Sequence, residues 1–475
     1  MKILLLAMPD TGDWLDHVMR LPNLAMVSMA GSLPDHEVRV LDLVLIKENL
    51  IETLERHLDV FTPEMVGMSA MTFQYSTMLK LASYLKKRLP GVTIAAGGYH
   101  VTLMHREIAD ETPGIPVDFM VHGEGERTFA ELVASYCSGG SMADIRGLSW
   151  RDGSIKWFHN PPRELLDLAE LPLPDRSGRL ENGFHTFRKS IDVTETSRGC
   201  PLCCNFCSIR KMYGSTFRRF PIERIVEDLR RLKAAGTEIV FLSDDNITYD
   251  VGHFSAICRA IMENGLNDML YGIQASAYGI AKNPELVELM DGANIRVVNL
   301  GLESMDPDTL RFMKKATSIE INREAMRLLK AHKMGVNALF IVGFPEDTEQ
   351  SIKTNFRNLM ALKPDSLYCQ FITPYPKTEV REQLLAAGLV ENPDDYSQYD
   401  GYHCNIRTRH LTRKQLWNVF IRENIKSWWP QIKGGNYFLK HFFLGYLTCE
   451  MKVALTFLYR LFWGKARDWR LDLEP

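Results

Sequence analysis

The sequence lacks a strong excess of either charge and any long uncharged hydrophobic run. Its 56 Lys and Arg against 59 Asp and Glu give a formal charge of -3 over 475 residues, which offers no broad positive field for nucleic acid. The apolar N-terminus breaks at Pro9, too early for a signal peptide. With 45% hydrophobic and 24% charged residues the composition is that of a globular protein. We therefore expect a cytoplasmic protein that does not bind nucleic acid.

Cysteine is scarce and unevenly distributed. There are nine cysteines, and four of them lie between Cys200 and Cys207. An odd count with this clustering does not suit a disulfide framework. It indicates a metal site in a reducing compartment.

Residues 1–146 alternate short apolar runs with helical periodicity, which predicts a doubly wound α/β, Rossmann-like domain. The predicted strands are Lys2–Leu6, Glu37–Asp42, Met65–Ser69, Thr93–Ala96 and Phe119–His122, and the predicted helices are Leu24–Leu33, Ile46–Leu58, Tyr75–Arg88 and Glu126–Tyr136. Ligands of such sheets bind at the carboxyl ends of the strands. The segments at those ends are Met8–Trp14, Ser69–Thr72, Gly97–His100 and Gly123–Glu126.

Proline-rich residues 147–188 are predicted as a linker, and residues 189–380 resume the strand and helix alternation. The predicted strands are Ile191–Thr196, Glu238–Ser243, Leu270–Ala275, Arg296–Gly301, Val336–Val342 and Ser366–Ile372. Six such repeats predict a parallel TIM barrel, either partial, (βα)6, or complete. Residues 381–475 are predicted as a separate helical, aromatic-rich module.

Cys200, Cys204 and Cys207 form a Cys-x3-Cys-x2-Cys motif directly after the first barrel strand. Three thiolates on one loop can bind three irons of a [4Fe–4S] cluster and leave the fourth iron open to a substrate. The alternative is a structural zinc site completed by Cys203 or a distant histidine. We expect Cys203 to be a spare thiol.

With this motif on a barrel, the chain resembles cobalamin-binding radical S-adenosylmethionine (SAM) enzymes over residues 1–380. The resemblance implies that the triad binds [4Fe–4S], with the typical aromatic residue Phe206 before the third cysteine. It implies that the open iron binds SAM, which is cleaved to a 5′-deoxyadenosyl radical. Strand-end segments similar to the SAM-contacting elements of the family supply Asp244, Asp245, Glu303, Ser304, Gly343 and Glu346. Helix capping is the alternative role for Asp244, Asp245 and Glu303.

The N-terminal loops resemble the cobalamin-binding loops of the same enzymes, and glycines there let a backbone approach a flat ligand. The implied cobalamin contacts are Ser69, Thr72, Gly97, Gly98, His100, Gly123, Glu124, Gly125 and Glu126. An Asp-x-His-x-x-Gly motif is missing, and His17 lies in a different pattern. The resemblance thus implies cobalt without a protein histidine, and we expect His100 and His122 to be hydrogen-bonded histidines.

The resemblance implies a C-methyltransferase that acts on an unactivated carbon and receives electrons from a flavodoxin or ferredoxin. Hopanoid C-methylases are similar, so the expected substrate is hydrophobic, either a terpenoid lipid or a tetrapyrrole. Cyclisation or rearrangement with the same cofactors is the alternative. A tRNA methylthiotransferase would need a second cluster and an RNA-binding domain, and a non-enzymatic cobalamin sensor would not use the triad.

The last sixty residues mix aromatic with basic side chains, a composition that suits a bilayer interface. We expect a helix over Tyr437–Phe462 that docks the enzyme peripherally on the inner face of a membrane. The alternative is an internal helical cap. The aromatic residues concerned are Trp428, Trp429, Phe438, Phe442, Phe443, Tyr446 and Trp463.

Overall fold

The computed structural model describes residues 1–10, 19–111, 114–153, 156–433, 436–442, 444–445, 448 and 451. The described chain divides into two compact units, Met1–Phe184 and His185–Met451. The predicted loop residues 11–14, His17, Phe443, Tyr446 and Trp463 lie outside the described residues.

The first unit contains a seven-stranded sheet. Its strands are β1 (Lys2–Ala7), β2 (Glu37–Asp42), β3 (Met65–Ser69), β4 (Thr93–Gly97), β5 (Phe119–Val121), β6 (Leu148–Trp150) and β7 (Phe158–His159). The order is β2-β1-β3-β4-β5-β6-β7, with β1 to β5 parallel and β6 and β7 antiparallel. A 2-1-3-4-5 order is that of flavodoxin-like sheets, in which ligands bind at the carboxyl edge. The segment predicted as a linker therefore contributes two strands to this sheet.

Among the described residues, five helices flank this sheet: α1 (Leu24–Gly31), α2 (Leu50–Val60), α3 (Tyr75–Arg88), α4 (Tyr99–Glu111) and α5 (Gly125–Ser138). The sequence reasoning missed α4. Its core-facing residues Val101, Met104 and Ile108 recur at helical spacing and are buried, so packing against the sheet stabilises this helix. His100, expected in a loop, lies in the first turn of α4.

The second unit is built on a curled sheet. The strands of this unit are β8 (His185–Thr186), β9 (Lys189–Thr194), β10 (Ser197–Arg198), β11 (Arg218–Arg219), β12 (Ile239–Leu242), β13 (Leu270–Ser276), β14 (Ile295–Glu303), β15 (Gly335–Val342) and β16 (Ser366–Phe371). Strands β9 and β12 to β16 are neighbours in chain order and parallel, β8 pairs antiparallel with β9, and β10 and β11 form a separate small ribbon. Six parallel strands in sequential order form the predicted partial (βα)6 barrel.

The helices of the second unit follow its strands. They are α6 (Ile209–Tyr213), α7 (Ile222–Ala234), α8 (Val251–Glu263), α9 (Ala277–Ala281), α10 (Pro284–Gly292), α11 (Pro307–Phe312), α12 (Ile319–Ala331), α13 (Glu349–Met360), α14 (Glu379–Ala386), α15 (Arg413–Lys433) and α16 (Tyr437–His441). Helix α15, predicted in a separate module, packs within this unit, with Leu416 and Val419 buried and Phe420 at 4.2 Å from the Phe371 ring. The structure describes Tyr437–His441 of the longer helix predicted there.

The two faces of the curled sheet can be told apart by their contacts. Successive strand residues point to opposite faces. Thr194 donates to Asp228 of α7, and Phe340 packs edge-on against Phe356 of α13, so these positions face the helices. The alternate positions, among them Gln274 and Asn299, therefore face the interior of the half-barrel.

In the described part of the chain, none of the helices has both the length and the apolar character that a membrane crossing requires.

Candidate functional site

Two adjacent carboxylates after β12 anchor the segment that leads into the cysteine motif. Asp244 accepts hydrogen bonds from the backbone N–H of Thr196 at 3.2 Å, from the Thr196 hydroxyl at 2.7 Å and from the Ser197 hydroxyl. Asp245 accepts the N–H of Gly199 at 2.9 Å. Burial raises the pKa of Asp244 to about 7 and also raises the pKa of Asp245. Helix capping is therefore the wrong alternative for both residues, because their partners lie in the cysteine loop.

The far side of the cysteine loop is fixed by Asn205. Its backbone N–H donates to the carbonyl of Met313 at 3.1 Å, and its carbonyl accepts the N–H of Val380 at 3.0 Å. Its side-chain amide donates to the carbonyl of Phe312 at 2.8 Å. Hydrogen bonds on both sides thus hold the loop rigidly between α11 and α14.

Cys200, Cys204 and Cys207 are free thiols on this loop, none of them fully exposed. Burial raises the pKa of each, that of Cys207 to about 12, and charge on a neighbouring thiolate adds to the shift at Cys204 and Cys207. Because the thiolates would repel one another, bound iron cations would stabilise this donor set. In the described chain, no three His, Cys, Asp or Glu side chains lie close enough together to bind a single metal ion. A [4Fe–4S] cluster does not require this, because each cysteine binds a separate iron of the cube.

Cys203 points away from this group. It is exposed, and its sulfur accepts a hydrogen bond from the Arg210 guanidinium at 2.8 Å. Phe206 is half-buried.

A nearly buried ion pair lies beside the cysteines, and sequence reasoning found only one member of it. Glu303 ends β14 after a register shift, at φ 60°, and accepts a hydrogen bond from Lys315 at 2.7 Å. Their side chains are 9% and 12% exposed. Burial alone would lower the pKa of Lys315, but the Glu303 carboxylate and the thiols of Cys204 and Cys207 raise it. Lys315 belongs to no recognisable motif, so only the tertiary contact identifies it.

Two other predicted SAM contacts are committed to protein partners. Ser304 is fully buried, and its hydroxyl accepts the amide N–H of Asn355 in α13 at 2.9 Å. Glu346 is exposed and pairs with Arg409 at 2.8 Å, so it does not join the cysteine site.

The turn after β15 is organised by Asp347, which the sequence reasoning missed. Asp347 accepts the backbone N–H of Gly343 at 2.8 Å and of Phe344 at 2.9 Å. Gly343 has φ 94°, a conformation that favours glycine.

In the first unit, the loops after β3 and β4 meet tightly at the carboxyl edge. The N–H of Ala70 donates to the carbonyl of Gly97 at 3.1 Å. Gly98 has φ 88°, and a Cβ on it would lie 2.5 Å from the Ser69 hydroxyl. Only glycine fits this close approach. Thr72, also a predicted contact, is buried.

The loop after β5 reaches the same edge through Thr102 of α4. The N–H of Gly123 donates to the Thr102 hydroxyl at 3.1 Å, and the N–H of Thr102 donates to the carbonyl of Gly98 at 3.0 Å. Apart from its own chain neighbours, no heavy atom of the described residues lies within 4 Å of the position of a Cβ on Gly123, so its backbone is open to a ligand. This open glycine edge fits a flat cofactor such as cobalamin.

The other predicted cobalamin contacts in this loop are partly engaged elsewhere. Glu124 is buried and accepts the N–H of Leu166 at 2.8 Å. Gly125 begins α5, and Glu126 is buried in a cleft of about 710 Å³ that Arg146 and Arg163 also line.

The two candidate histidines of the first unit are buried. His100 packs against Tyr75 with ring centroids 4.4 Å apart, and His122 stacks on His105 at 4.1 Å. Burial lowers the pKa of His100 to about 4 and that of His122 to about 3. Both imidazoles are therefore neutral at physiological pH.

Comparisons with known proteins match both units. Residues 194–359 match the radical SAM superfamily, and residues 18–133 match the B12 binding domain. An uncharacterized methyltransferase of Pyrococcus horikoshii is 30% identical over 88% of this chain and 90% of its own length. An anaerobic magnesium-protoporphyrin IX monomethyl ester cyclase of Synechocystis is 25% identical, over 85% of this chain and 80% of its own. The hopanoid C-3 methylase of Methylococcus capsulatus is 28% identical, over 82% and 73%.

The fold is also similar to that of a solved radical SAM methyltransferase, TsrM from Kitasatospora setae. That structure superimposes with a TM-score of 0.66 at 19% identity and covers 82% of this chain and 77% of its own. The radical SAM superfamily implies a [4Fe–4S] cluster and SAM, and the B12 binding domain implies cobalamin. The chain therefore belongs to the radical SAM superfamily, among the members that carry a B12 binding domain, and it is a radical SAM enzyme.

Proposed function

We propose that this enzyme is a cobalamin-dependent C-methyltransferase that acts on an unactivated carbon of a hydrophobic substrate. The observation that carries the proposal is the uncharged inner wall of the half-barrel. From Phe241 to Gln370 the inward strand positions hold glycines, serine hydroxyls, amides, a phenol and aliphatic groups. Asn337 donates to Asn299 at 2.8 Å, so these two amides satisfy each other.

Such a wall suits methylation of an sp3 carbon. No carboxylate, imidazole or ammonium lies in the middle of β12 to β16 to act as a general acid or base, and the reaction requires none. Leu339 projects into the same interior and adds apolar surface for a hydrophobic substrate. On β12 to β16 the charged strand residues are Arg296 at the start of β14 and Glu303 at its end, and Glu303 lies with Asp245 and Lys315 at the carboxyl edge.

The residues of the carboxyl edge have distinct roles in this proposal. When bound, the cofactors supply reductive cleavage of SAM and a methyl carrier. Asp244 and Asp245 hold the start of the cysteine loop in place, and Asn205 holds its far side. The Glu303–Lys315 pair presents one fixed charge of each sign beside the thiols, an arrangement suited to the zwitterionic amino acid part of SAM.

Labelled SAM tests the proposal directly. The anaerobically reconstituted enzyme is incubated with cobalamin, a reductant, SAM labelled with deuterium on the methyl group, and lipid or pigment extracts from cells that lack the protein. We expect a product that gains the labelled methyl group by mass spectrometry. The matched control is the Cys204→Ala variant. Products that form without label would overturn methyl transfer.

Cyclisation or rearrangement with the same cofactors is the second candidate, and the similarity to magnesium-protoporphyrin IX monomethyl ester cyclases favours it. The same incubation distinguishes the two functions. A cyclase would consume SAM and change the mass of a tetrapyrrole without incorporating labelled methyl.

We further propose a peripheral membrane contact through α15. Trp417, Ile425 and Trp428 are 41%, 54% and 40% exposed. Ile425 and Trp428 follow Trp417 by eight and eleven positions, which places all three on one side of the helix. Exposed Lys414 lies on the same side and would meet anionic lipid. Such a contact would bring an apolar substrate to the enzyme without passage through water.

Liposome flotation with phosphatidylcholine and phosphatidylglycerol tests this contact. Truncation is unsuitable because α15 contributes Leu416 and Phe420 to the core. We expect Ile425→Gln with Trp428→Gln to reduce flotation, and Tyr278→Gln, which changes an exposed aromatic residue on α9, to leave it intact. Equal flotation of the wild type, the double variant and Tyr278→Gln would exclude the exposed side of α15 as a membrane contact.

A further inference from the structure

The outer side of the cysteine loop reaches the surface of the second unit. Cys203, one residue before a member of the triad, is exposed. Arg210 of α6 donates to its sulfur, and Lys211 beside it is exposed as well. The loop that holds the cluster ligands is therefore also a surface loop, and α6 lies at its rim.

This rim is basic. Between Gly199 and Ile222 the sequence contains Arg210, Lys211, Arg218 and Arg219 and no Asp or Glu. Arg219 pairs with Asp250, but none of the carboxylates in the described chain forms an ion pair with Arg210 or Lys211.

A second surface element borders the loop at Asn205. Asn205 joins the loop to residues 312–313 and to the start of α14, which places Lys314 and Lys377 next to it. Lys314 is neutralised by Glu379 at 2.6 Å, and Glu382 is also exposed. Arg210 and Lys211 of α6, which form no ion pair with a described carboxylate, therefore leave the rim positive. On a chain with a formal charge of -3, this is a local concentration of positive charge.

The position of this surface matters because electrons must enter the cluster from outside. Electron tunnelling through protein falls steeply with distance, so a carrier must dock where the cluster loop is nearest to solvent. The other side of the loop faces the carboxyl edge of the barrel, where Asp245 and Glu303 lie. In the described residues, the outer side carries exposed Arg210 and Lys211, which a protein partner can reach.

We propose that Arg210 and Lys211 form the docking surface for an acidic one-electron carrier protein. The carrier gives up one electron and is oxidised, the cluster takes that electron and is reduced, and no bond forms or breaks. Charge complementarity at such a rim speeds association and orients the partner. The inference rests on the cluster assignment and not on methyl transfer.

Stopped-flow reduction of the reconstituted full-length enzyme tests the docking surface. Photoreduced bacterial flavodoxin, an acidic carrier, is mixed anaerobically with the enzyme, and the loss of cluster absorbance is followed. We expect Arg210→Glu with Lys211→Glu to slow reduction about tenfold at low ionic strength, and the difference to shrink as salt is added. Lys211→Glu alone should act in the same direction without disturbing the contact between Arg210 and Cys203.

The matched control is Arg230→Glu with Arg231→Glu, an adjacent pair of exposed cations on α7. Flavodoxin should reduce the cluster of this control variant at the wild-type rate. Reduction by dithionite and iron content should be unchanged in all variants, which separates docking from cluster loss. Equal flavodoxin rates for the α6 and α7 variants would overturn the proposal. Because no substrate is present, this outcome does not depend on the reaction that the enzyme catalyses.

Discussion

Removal of the Lys315 ammonium should destabilise the carboxyl edge of the half-barrel. In Lys315→Met, Glu303 loses its partner at 2.7 Å while its side chain stays about nine-tenths buried. Breaking one side of a buried ion pair costs about 3–5 kcal/mol. At roughly 1.4 kcal/mol per tenfold change, amide protection near β14 and α11 should fall by about two to four orders of magnitude.

Hydrogen–deuterium exchange with mass spectrometry measures this effect peptide by peptide. The double variant Glu303→Gln with Lys315→Met removes both charges and should recover most of the protection, because no unpaired charge remains. Arg311→Met is the control, since Arg311 pairs with Asp308 on the exposed surface of α11. Equal loss of protection in the single and double variants would refute the reasoning and leave side-chain packing as the cause.

Three further predictions concern other sites. Gly98→Ala should destabilise the first unit and weaken cobalamin binding, because its Cβ would lie 2.5 Å from the Ser69 hydroxyl. Gly123→Ala should also weaken cobalamin binding but lower the melting temperature less, since the space beside Gly123 is open. Equal melting temperatures of the two variants would contradict this. Cys204→Ala should lose the iron of the cluster on anaerobic reconstitution and Cys203→Ala should keep it, as iron analysis will show. Burial raises the pKa of Asp42 from 3.8 to about 6, so the folded state holds this proton more tightly than the unfolded state. The melting temperature of the wild type minus that of Asp42→Asn should be highest below pH 3.8, fall as the pH rises to about 6 and then stay constant. A difference that is the same at every pH would exclude the effect.

The parallel strands of both sheets were predicted closely, and α4 shows why one helix was not. The strands are continuous apolar runs because parallel strands are buried on both faces, and this pattern is local. The first turns of α4 instead follow Gly97 and Gly98, which indicate a loop, and the helical spacing of Val101, Met104 and Ile108 is short. Contact with the sheet determines this helix.

The cysteine triad could be identified from the sequence because its ligands lie on one loop at fixed spacing. Asp244 and Asp245 were also identified, as SAM contacts or helix caps, but their hydrogen bonds to Thr196, Ser197 and Gly199 were not predicted. Those partners are more than forty residues away in the chain. Spacing along the chain carries no information on such contacts.

The sequence by itself determined the fold class, the cysteine triad and the glycine-rich loops, because each depends on residues that are neighbours in the chain. Only the tertiary structure decided which carboxylates meet which partners. The packing buries Lys315 against Glu303 and leaves Glu346 exposed beside Arg409. Asp347 is the carboxylate that accepts the backbone N–H of Gly343 in the turn after β15. The physical reason is that burial and pairing of a charge depend on the side chains that distant segments bring to it, and these are set by the packing of strands and helices.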